Sequence, residues 1–277
     1  MNARPFLARL HWVLSSQLGI DLRKAVRSAL GLHRYLRDLR RFRSGYAGSI
    51  ELLPCLQDWH EEGGSTKTEY FWQDLLVARS IHAANPRKHV DVGSLISGFV
   101  AHVASFRDIE VFDVRPILAE IPGITFKQAD LMRPITGMVE YCDSLSCLHA
   151  LEHFGLGRYG DSVDPAGAER GLENLAALLK EGGRLYLSVP IGIERVAFNA
   201  HRVFDPRTIL ELAARHSLSL RKLSVIRSGG RVESINTEAE DASRLAALAA
   251  ESYSLGVFEF EKNLAPHPPF QVSGWQA

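Results

Sequence analysis

Strand-like and helix-like apolar patterns alternate along the chain from about residue 67 to residue 262. Runs rich in β-branched and aromatic residues predict seven strands, at 88–93, 109–114, 124–129, 143–149, 184–189, 218–226 and 255–261. Apolar residues at helical spacing predict helices at 67–84, 98–106, 167–180 and 206–216. Strands joined by helical crossovers form parallel sheets with helices on both faces. We therefore predict an α/β fold with a doubly wound, mostly parallel seven-stranded sheet, whose last two strands form an antiparallel edge.

Local signals mark the ends of two predicted helices. Thr66-Lys-Thr-Glu69 matches a capping box, in which two side chains satisfy free backbone N–H groups at the helix start. Gly182-Gly183 predicts the end of the helix at 167–180, before the next strand begins.

A basic amphipathic segment precedes this domain. Residues 5–43 predict one or two helices, and residues 1–48 hold nine Arg and one Lys against two Asp, a charge of +8 in a chain of zero formal net charge. Such a segment suits anionic membrane lipid, nucleic acid or a protein partner, and equally a solvated helix face on an acidic body. Sparse aromatic residues disfavour nucleic acid. We expect a basic helical arm over 1–48, a linker over 49–66, the main domain over 67–262 and a loose Pro-rich tail over 263–277.

Cysteine usage and hydropathy indicate a cytoplasmic protein, with peripheral membrane contact as an option. The three cysteines, Cys55, Cys142 and Cys147, lack zinc-ligand spacing, and their odd number disfavours a disulfide framework. No run of about 20 apolar residues is present, and the N-terminal pattern does not match a signal peptide. We expect no bound metal.

The segment 88–100, Lys-His-Val-Asp-Val-Gly-Ser-Leu-Ile-Ser-Gly-Phe-Val, predicts the strand–turn–helix entry of a nucleotide-binding domain. Gly93 allows close approach of the backbone to a ligand. Asp113 follows it by 20 residues, at the end of the second strand, where an acid accepts hydrogen bonds from ribose hydroxyls. Leu95 stands where a dinucleotide fingerprint has glycine and would press on a pyrophosphate. The pattern therefore favours a nucleoside ligand without phosphates.

These motifs resemble those of class I S-adenosylmethionine-dependent methyltransferases over residues 67–262. The similarity lies in Asp-Val-Gly-Ser-Leu-Ile-Ser-Gly-Phe at 91–99, Val-Phe-Asp113, Ala-Asp130-Leu, Ala-Leu-Glu152-His153 and Leu-Lys-Glu-Gly-Gly-Arg-Leu-Tyr-Leu-Ser-Val-Pro at 179–190. The chain also resembles a methyltransferase-like family labelled as a domain of unknown function. The resemblance implies a Rossmann-like methyltransferase fold and S-adenosylmethionine as cofactor. The residues it implies for binding that cofactor are Asp91, Gly93, Ser94, Asp113, Asp130, His149 and Glu152.

Two alternative chemistries fit the sequence less well. His149-x-x-Glu152-His153 spells an inverted zinc-protease motif, but a strand-like run precedes it and Gly155 and Gly157 break any helix after it. No Asn/Asp-Pro-Pro-Tyr/Phe run follows the fourth strand, which disfavours nucleic-acid N-methylation.

Candidate acceptor-side residues cluster after the fourth and fifth strands. His153 or His201 is the candidate base, because imidazole has a suitable pKa for taking a proton from a hydroxyl. Residues 155–161 predict a polar lid, and Arg158, Tyr159, Asp161 and Asn199 are candidate substrate contacts. Ordinary structural roles for these residues remain open, including helix capping by His201 and a plain surface loop at 155–161.

The sequence thus predicts a methyltransferase acting on a small-molecule or glycan-type acceptor at oxygen. The glycan hypothesis rests on the basic arm, which suits a peripheral membrane assembly. The alternative is a non-catalytic methyltransferase-fold binding module in such an assembly, suggested by the irregular glycine turn.

Overall fold

The computed structural model of the protein describes residues 11–60, 63, 66–235 and 241–263. By its internal contacts the chain divides into two compact units, Met1–Ser65 and Thr66–Ala277. The tail predicted at 263–277 falls outside the described residues from 264 onward, as do residues 1–10 of the predicted arm. Over the described ranges, no helix is both long and apolar enough to cross a membrane.

One long basic helix, α1 (Leu22–Arg43), dominates the first unit. Asp21 caps it by accepting hydrogen bonds from backbone N–H groups of the first turn. One face packs on the segment that follows, where Gly31 lies so close to Leu56 that a Cβ would collide with the Leu56 carbonyl. The predicted basic helical extension is confirmed for these residues.

A mostly parallel sheet forms the centre of the second unit. The strands of this unit, in chain order, are β1 (His89–Val92), β2 (Ile109–Asp113), β3 (Ile124–Gln128), β4 (Cys142–Leu148), β5 (Leu179–Ile191), β6 (Arg195–Ala197), β7 (His201–Val203), β8 (Leu218–Arg227), β9 (Arg231–Ile235) and β10 (Ser254–Lys262). Of these, β6 and β7 form a separate hairpin. The strand order is β3-β2-β1-β4-β5-β10-β8-β9. Strands β1 to β5 are parallel, and β10 runs antiparallel to both β5 and β8.

Helices flank the sheet and bury its two faces. They are α2 (Glu69–Ala84), α3 (Ala101–Ala104), α4 (Gly167–Leu178), α5 (Pro206–Arg215) and α6 (Asp241–Ala249). One apolar cluster includes Leu172 and Phe258, and another includes Ile81, Phe99 and Tyr186. The predicted α/β fold is therefore confirmed. The sheet has eight strands instead of seven, because β9 forms a hairpin with β8 in a stretch where no strand is predicted.

Three local predictions are wrong in detail. The capping box does not form, because Thr68 is the N-cap, without a side-chain hydrogen bond, and the Glu69 carboxylate contacts His149 and Tyr253. The helix predicted at 98–106 is a π-helical turn, Ile96–Val100, that leads into the short α3. Gly182 does not end a helix, since α4 ends at Leu178 and Gly182 adopts φ +71° within β5.

The strand order places a crevice between β1 and β4. From β1 the chain moves outward to β2 and β3, then crosses back to β4 on the other side of β1. In open α/β sheets ligands bind outside the carboxyl ends of the strands at such a reversal.

Candidate functional site

Two adjoining cavities open at this reversal. The first, which we call the apolar cleft, has walls that include Gly93, Phe112, Asp113, Asp130, Leu131 and Ala150. The second, the polar cavity, has walls that include Glu69, Tyr70, Glu152, His201 and Tyr253. His149, His153 and Tyr159 border both. The two histidines and the tyrosine therefore stand at the junction of an apolar space and a polar one.

Gly93 forms the turn between the two cavities. Its φ of +72° is disfavoured for residues with a side chain, and a Cβ there would come within 2.9 Å of the Ala150 Cβ. Its N–H donates to the Phe112 carbonyl at 2.9 Å, which ties the turn to β2. Leu95 lines the polar cavity and is 55% exposed, so it leaves the apolar cleft open.

Asp91 is wholly buried behind this turn. Its Oδ1 accepts hydrogen bonds from the hydroxyls of Ser94 and Ser146, both at 2.6 Å, and its Oδ2 accepts one from the Ser94 N–H at 3.0 Å. Burial raises the pKa of Asp91 to about 6, although these hydrogen bonds oppose the shift. Asp91 and Ser94 line neither cavity. In this structure both predicted cofactor residues hold the turn in place.

Asp113 lies in the wall of the apolar cleft at the end of β2. Arg115 forks onto its carboxylate, with Nε 3.1 Å from Oδ1 and Nη2 2.8 Å from Oδ2, and the guanidinium lies 4.4 Å from the centre of the Tyr159 ring. The Arg115 backbone N–H also donates to Oδ1 at 2.8 Å. Of the roughly four lone-pair sites of the carboxylate, one therefore stays available, on Oδ2. Asp130 uses one oxygen to accept from the Met132 N–H.

His149 is sandwiched between two carboxylates. Its Nδ1 lies 2.8 Å from Glu152 Oε1, its Nε2 lies 3.4 Å from Glu69 Oε1, and its ring stacks on Tyr70 at 4.5 Å. Burial by itself would lower the pKa of His149, but Glu152 and then Glu69 outweigh burial and raise that pKa to about 9. His149 is therefore an imidazolium at neutral pH.

His153 is a neutral histidine of the site. Burial, assisted by the charge of Arg158, lowers its pKa despite the opposing charge of Glu152. Its Nδ1 lies 2.7 Å from the Ala200 carbonyl and 3.4 Å from Arg158 Nη1. The carbonyl is the nearer of the two and only accepts, so Nδ1 carries the proton and Nε2 keeps its lone pair. This Nε2 lies 3.7 Å from Glu152 Oε1. His153 is thus held in the tautomer that a proton acceptor needs.

The other predicted acceptor-side residues are distributed unevenly. His201 lines the polar cavity, and burial lowers its pKa. Arg158 lines the same cavity and donates to the Ala200 carbonyl at 2.8 Å. The Asp161 carboxylate accepts from three backbone N–H groups of its own loop, at residues 155, 157 and 159, and so fixes that loop. Asn199 is exposed and lines neither cavity.

Sequence reasoning missed three residues of the site. Glu69 carries a helix-start signal in the sequence, which conceals its role as a partner of His149. Tyr253 donates to Glu69 at 2.6 Å across 184 positions of chain, and no local pattern marks such a contact. Arg115 follows the β2 acid by two residues, and that spacing is the one signal available for it. Over the described part of the chain, no cluster of three or more His, Cys, Asp or Glu is placed to hold a metal ion.

Comparisons with known proteins give the following likenesses. A sequence model of the family described as "Caenorhabditis protein of unknown function, DUF268" matches residues 121–214. No curated protein matches the chain.

Three solved structures are similar at low identity. The Burkholderia thailandensis 1,6-didemethyltoxoflavin-N1-methyltransferase is 15% identical, with 84% of this chain and 90% of that chain covered and a TM-score of 0.47. A TehB-like SAM-dependent methyltransferase of Corynebacterium glutamicum is 17% identical, covering 83% and 97%, with a TM-score of 0.44. The [4+2]-cyclase SpnF is 14% identical, covering 69% and 82%, with a TM-score of 0.48.

Proposed function

We propose that the protein is an S-adenosylmethionine-dependent methyltransferase that acts on a protic oxygen of a small molecule. The observation that carries the proposal is the position of His153. It borders both cavities, it is neutral, and its lone pair is on Nε2. A base between the apolar cleft and the polar cavity is what methyl transfer to a hydroxyl requires, if the cofactor occupies the cleft.

The apolar cleft fits the cofactor's nucleoside. Phe112, Leu131 and Ala150 offer apolar surface to a purine, and the lone pair that Arg115 leaves free on Asp113 Oδ2 suits a ribose hydroxyl. At Gly93 a Cβ would intrude on the space beside Ala150, so the glycine keeps the backbone approachable. Asp113 and Asp130 would hold the nucleoside, with Gly93 next to the rest of the cofactor.

The chain's own part in the reaction is to place the acceptor and remove its proton. When bound, S-adenosylmethionine supplies a methyl group activated by a sulfonium. His153 Nε2 accepts the hydroxyl proton as the acceptor oxygen is methylated, and the hydrogen bond from Nδ1–H to Ala200 keeps the ring in that tautomer. The neighbouring Glu152 carboxylate stabilises the imidazolium that results.

His201 is the rival base. It lines the polar cavity, but it does not border the apolar cleft. His153 therefore lies closer to a methyl group that projects from that cleft.

The experiment has a binding arm and a transfer arm. Isothermal titration with S-adenosylhomocysteine tests the cleft, and we expect saturable binding. Incubation with methyl-labelled S-adenosylmethionine and a panel of small hydroxylated acceptors tests the reaction, and we expect label in a product that His153→Gln does not form and His201→Gln does. A folded protein that does not bind S-adenosylhomocysteine overturns the proposal, and loss of transfer in His201→Gln alone overturns the role of His153.

A further inference from the structure

One buried oxygen in the polar cavity has no partner. Glu152 is only 1% exposed, and its Oε1 is held by His149 Nδ1 at 2.8 Å. Its Oε2 has no hydrogen-bond donor among the residues that the structure describes. Buried polar groups are nearly always paired, and an unpaired one is destabilising. Glu152 lines the polar cavity, while Oε2 itself has less than 1 Å² of accessible surface, so a donor in that cavity reaches Oε2 after a small shift of the cavity wall.

The charges around Glu152 indicate the kind of donor. His149 supplies one positive charge between two carboxylates, those of Glu69 and Glu152. These three side chains together therefore carry a net charge of −1. Two arginines also line the cavity, but Arg158 donates to the Ala200 carbonyl and Arg115 pairs with Asp113. A cationic donor compensates this charge, whereas a neutral hydroxyl satisfies only the hydrogen bond.

The walls of the cavity also suit a cation. Tyr70 and Tyr253 line it, and aromatic faces attract ammonium groups. The Tyr253 hydroxyl is already donated to Glu69, and Tyr70 stacks on His149, so both rings are fixed in place.

From this arrangement we infer that the acceptor carries a protonated amino group that docks on Glu152 Oε2, next to the hydroxyl that faces His153. This inference rests on the proposed function and narrows its substrate class to small amino alcohols. The proton goes from the hydroxyl to His153 Nε2, the oxygen forms the new bond to the methyl carbon, and the sulfonium keeps the electrons of the broken bond as a neutral thioether. The ammonium group is only recognised and stays unchanged.

The test uses the full chain saturated with S-adenosylhomocysteine and two probes of similar size. Ethylammonium carries the charge, and ethanol is the soluble uncharged control. Binding is followed by NMR from the imidazole resonances of His149 and His153. We expect millimolar ethylammonium to shift these resonances saturably and ethanol to bind at least about tenfold more weakly. Equal responses to the two probes, or a response to neither, overturn the inference.

Two variants assign the effect to Glu152. Glu152→Gln keeps the shape and removes the charge, and we expect it to weaken ethylammonium binding about tenfold or more. The matched control is Glu169→Gln, because Glu169 is exposed and pairs with Arg215; it should bind ethylammonium as the wild type does. An unchanged affinity in Glu152→Gln overturns the inference, whether or not the fold of that variant is weakened.

The cofactor's own amino group is the competing source of an ammonium. Titrations with S-adenosylhomocysteine and with 5′-methylthioadenosine, which lacks the amino-acid part, separate the two. We expect Glu152→Gln to bind both as the wild type does. If it loses affinity for S-adenosylhomocysteine alone, Glu152 holds the cofactor and the acceptor inference fails. If wild-type protein binds neither nucleoside, the proposed function fails instead.

Discussion

Asp91 and Glu152 are two buried carboxylates at the same edge of the sheet, and their hydrogen bonds are opposite in kind. Each oxygen of Asp91 is paired with donors from its own turn and from β4. Glu152 has one oxygen paired and one without a donor in the described structure. A fully paired buried carboxylate holds the backbone, and a half-paired one facing a cavity is available to a ligand. Their hydrogen bonds thus distinguish two acids that the sequence resemblance assigns to the same cofactor site.

The largest expected effect is on catalysis. His153 lies beside the half-paired Glu152. Replacing His153 by Gln should lower kcat about 10²–10⁴-fold for the acceptor identified by the panel, because the proton acceptor is lost. Affinity for S-adenosylhomocysteine should stay within a few-fold. Steady-state kinetics and calorimetry measure the two quantities.

The control is a substitution beside the fully paired Asp91. Ser146→Ala removes a donor from Asp91 and should lower the free energy of unfolding by about 1–3 kcal/mol with kcat nearly unchanged. If Ser146→Ala slows turnover as much as His153→Gln does, the distinction between the two acids is wrong.

Asp91 should also make stability depend on pH. Its pKa is about 6 in the folded chain against an ordinary value of 3.8 in an unfolded one, so between these values the folded state retains a proton that the unfolded state has released. Wild-type stability relative to Asp91→Asn should therefore fall by about 3 kcal/mol as pH rises from about 4 to about 6, at 1.36 kcal/mol per pKa unit. Urea unfolding of both proteins across this range measures it, and a flat or rising difference contradicts the prediction.

A smaller effect is expected at the cofactor side. Asp113→Asn should weaken S-adenosylhomocysteine binding about 10- to 100-fold, because a charged acceptor for the ribose diol becomes neutral. Asp108→Asn, an exposed position before β2, is the matched control. Equal affinity of the two variants would show that the ribose does not contact Asp113.

The smallest effect should be a shift in a pH profile. Arg158 lowers the pKa of His153 through its charge, while Glu152 raises it and His149 lowers it. Activity should rise with pH as His153 loses its proton, and Arg158→Gln should move that rise to higher pH by less than about one unit. A rise displaced to lower pH contradicts this assignment.

The fold was largely predictable from the sequence. Strand and helix periods, with the Asp91–Gly93 turn, determine the parallel sheet, and Asp113 follows from spacing along two adjacent strands. The β9 edge strand was missed because Arg-Val-Glu-Ser-Ile is short and polar, and becomes a strand only by pairing with β8.

The polar cavity was much less predictable. Its central contacts join Glu69 to His149 and Tyr253, residues brought together by the packing of α2 and β10 rather than by local pattern. The opposite protonation of His149 and His153, four residues apart, depends on which oxygen each ring nitrogen contacts. His149 contacts the nearby Glu152 and the distant Glu69, and His153 contacts the distant Ala200 carbonyl.

The Ala200 carbonyl belongs to the turn between β6 and β7, outside the main sheet. The small β6–β7 hairpin, rather than the strands of the main sheet, therefore determines which nitrogen of His153 carries the proton. Shortening or re-routing that hairpin would let the imidazole proton migrate to the other nitrogen, and the protein would keep its fold and its cleft while losing the proposed proton acceptor.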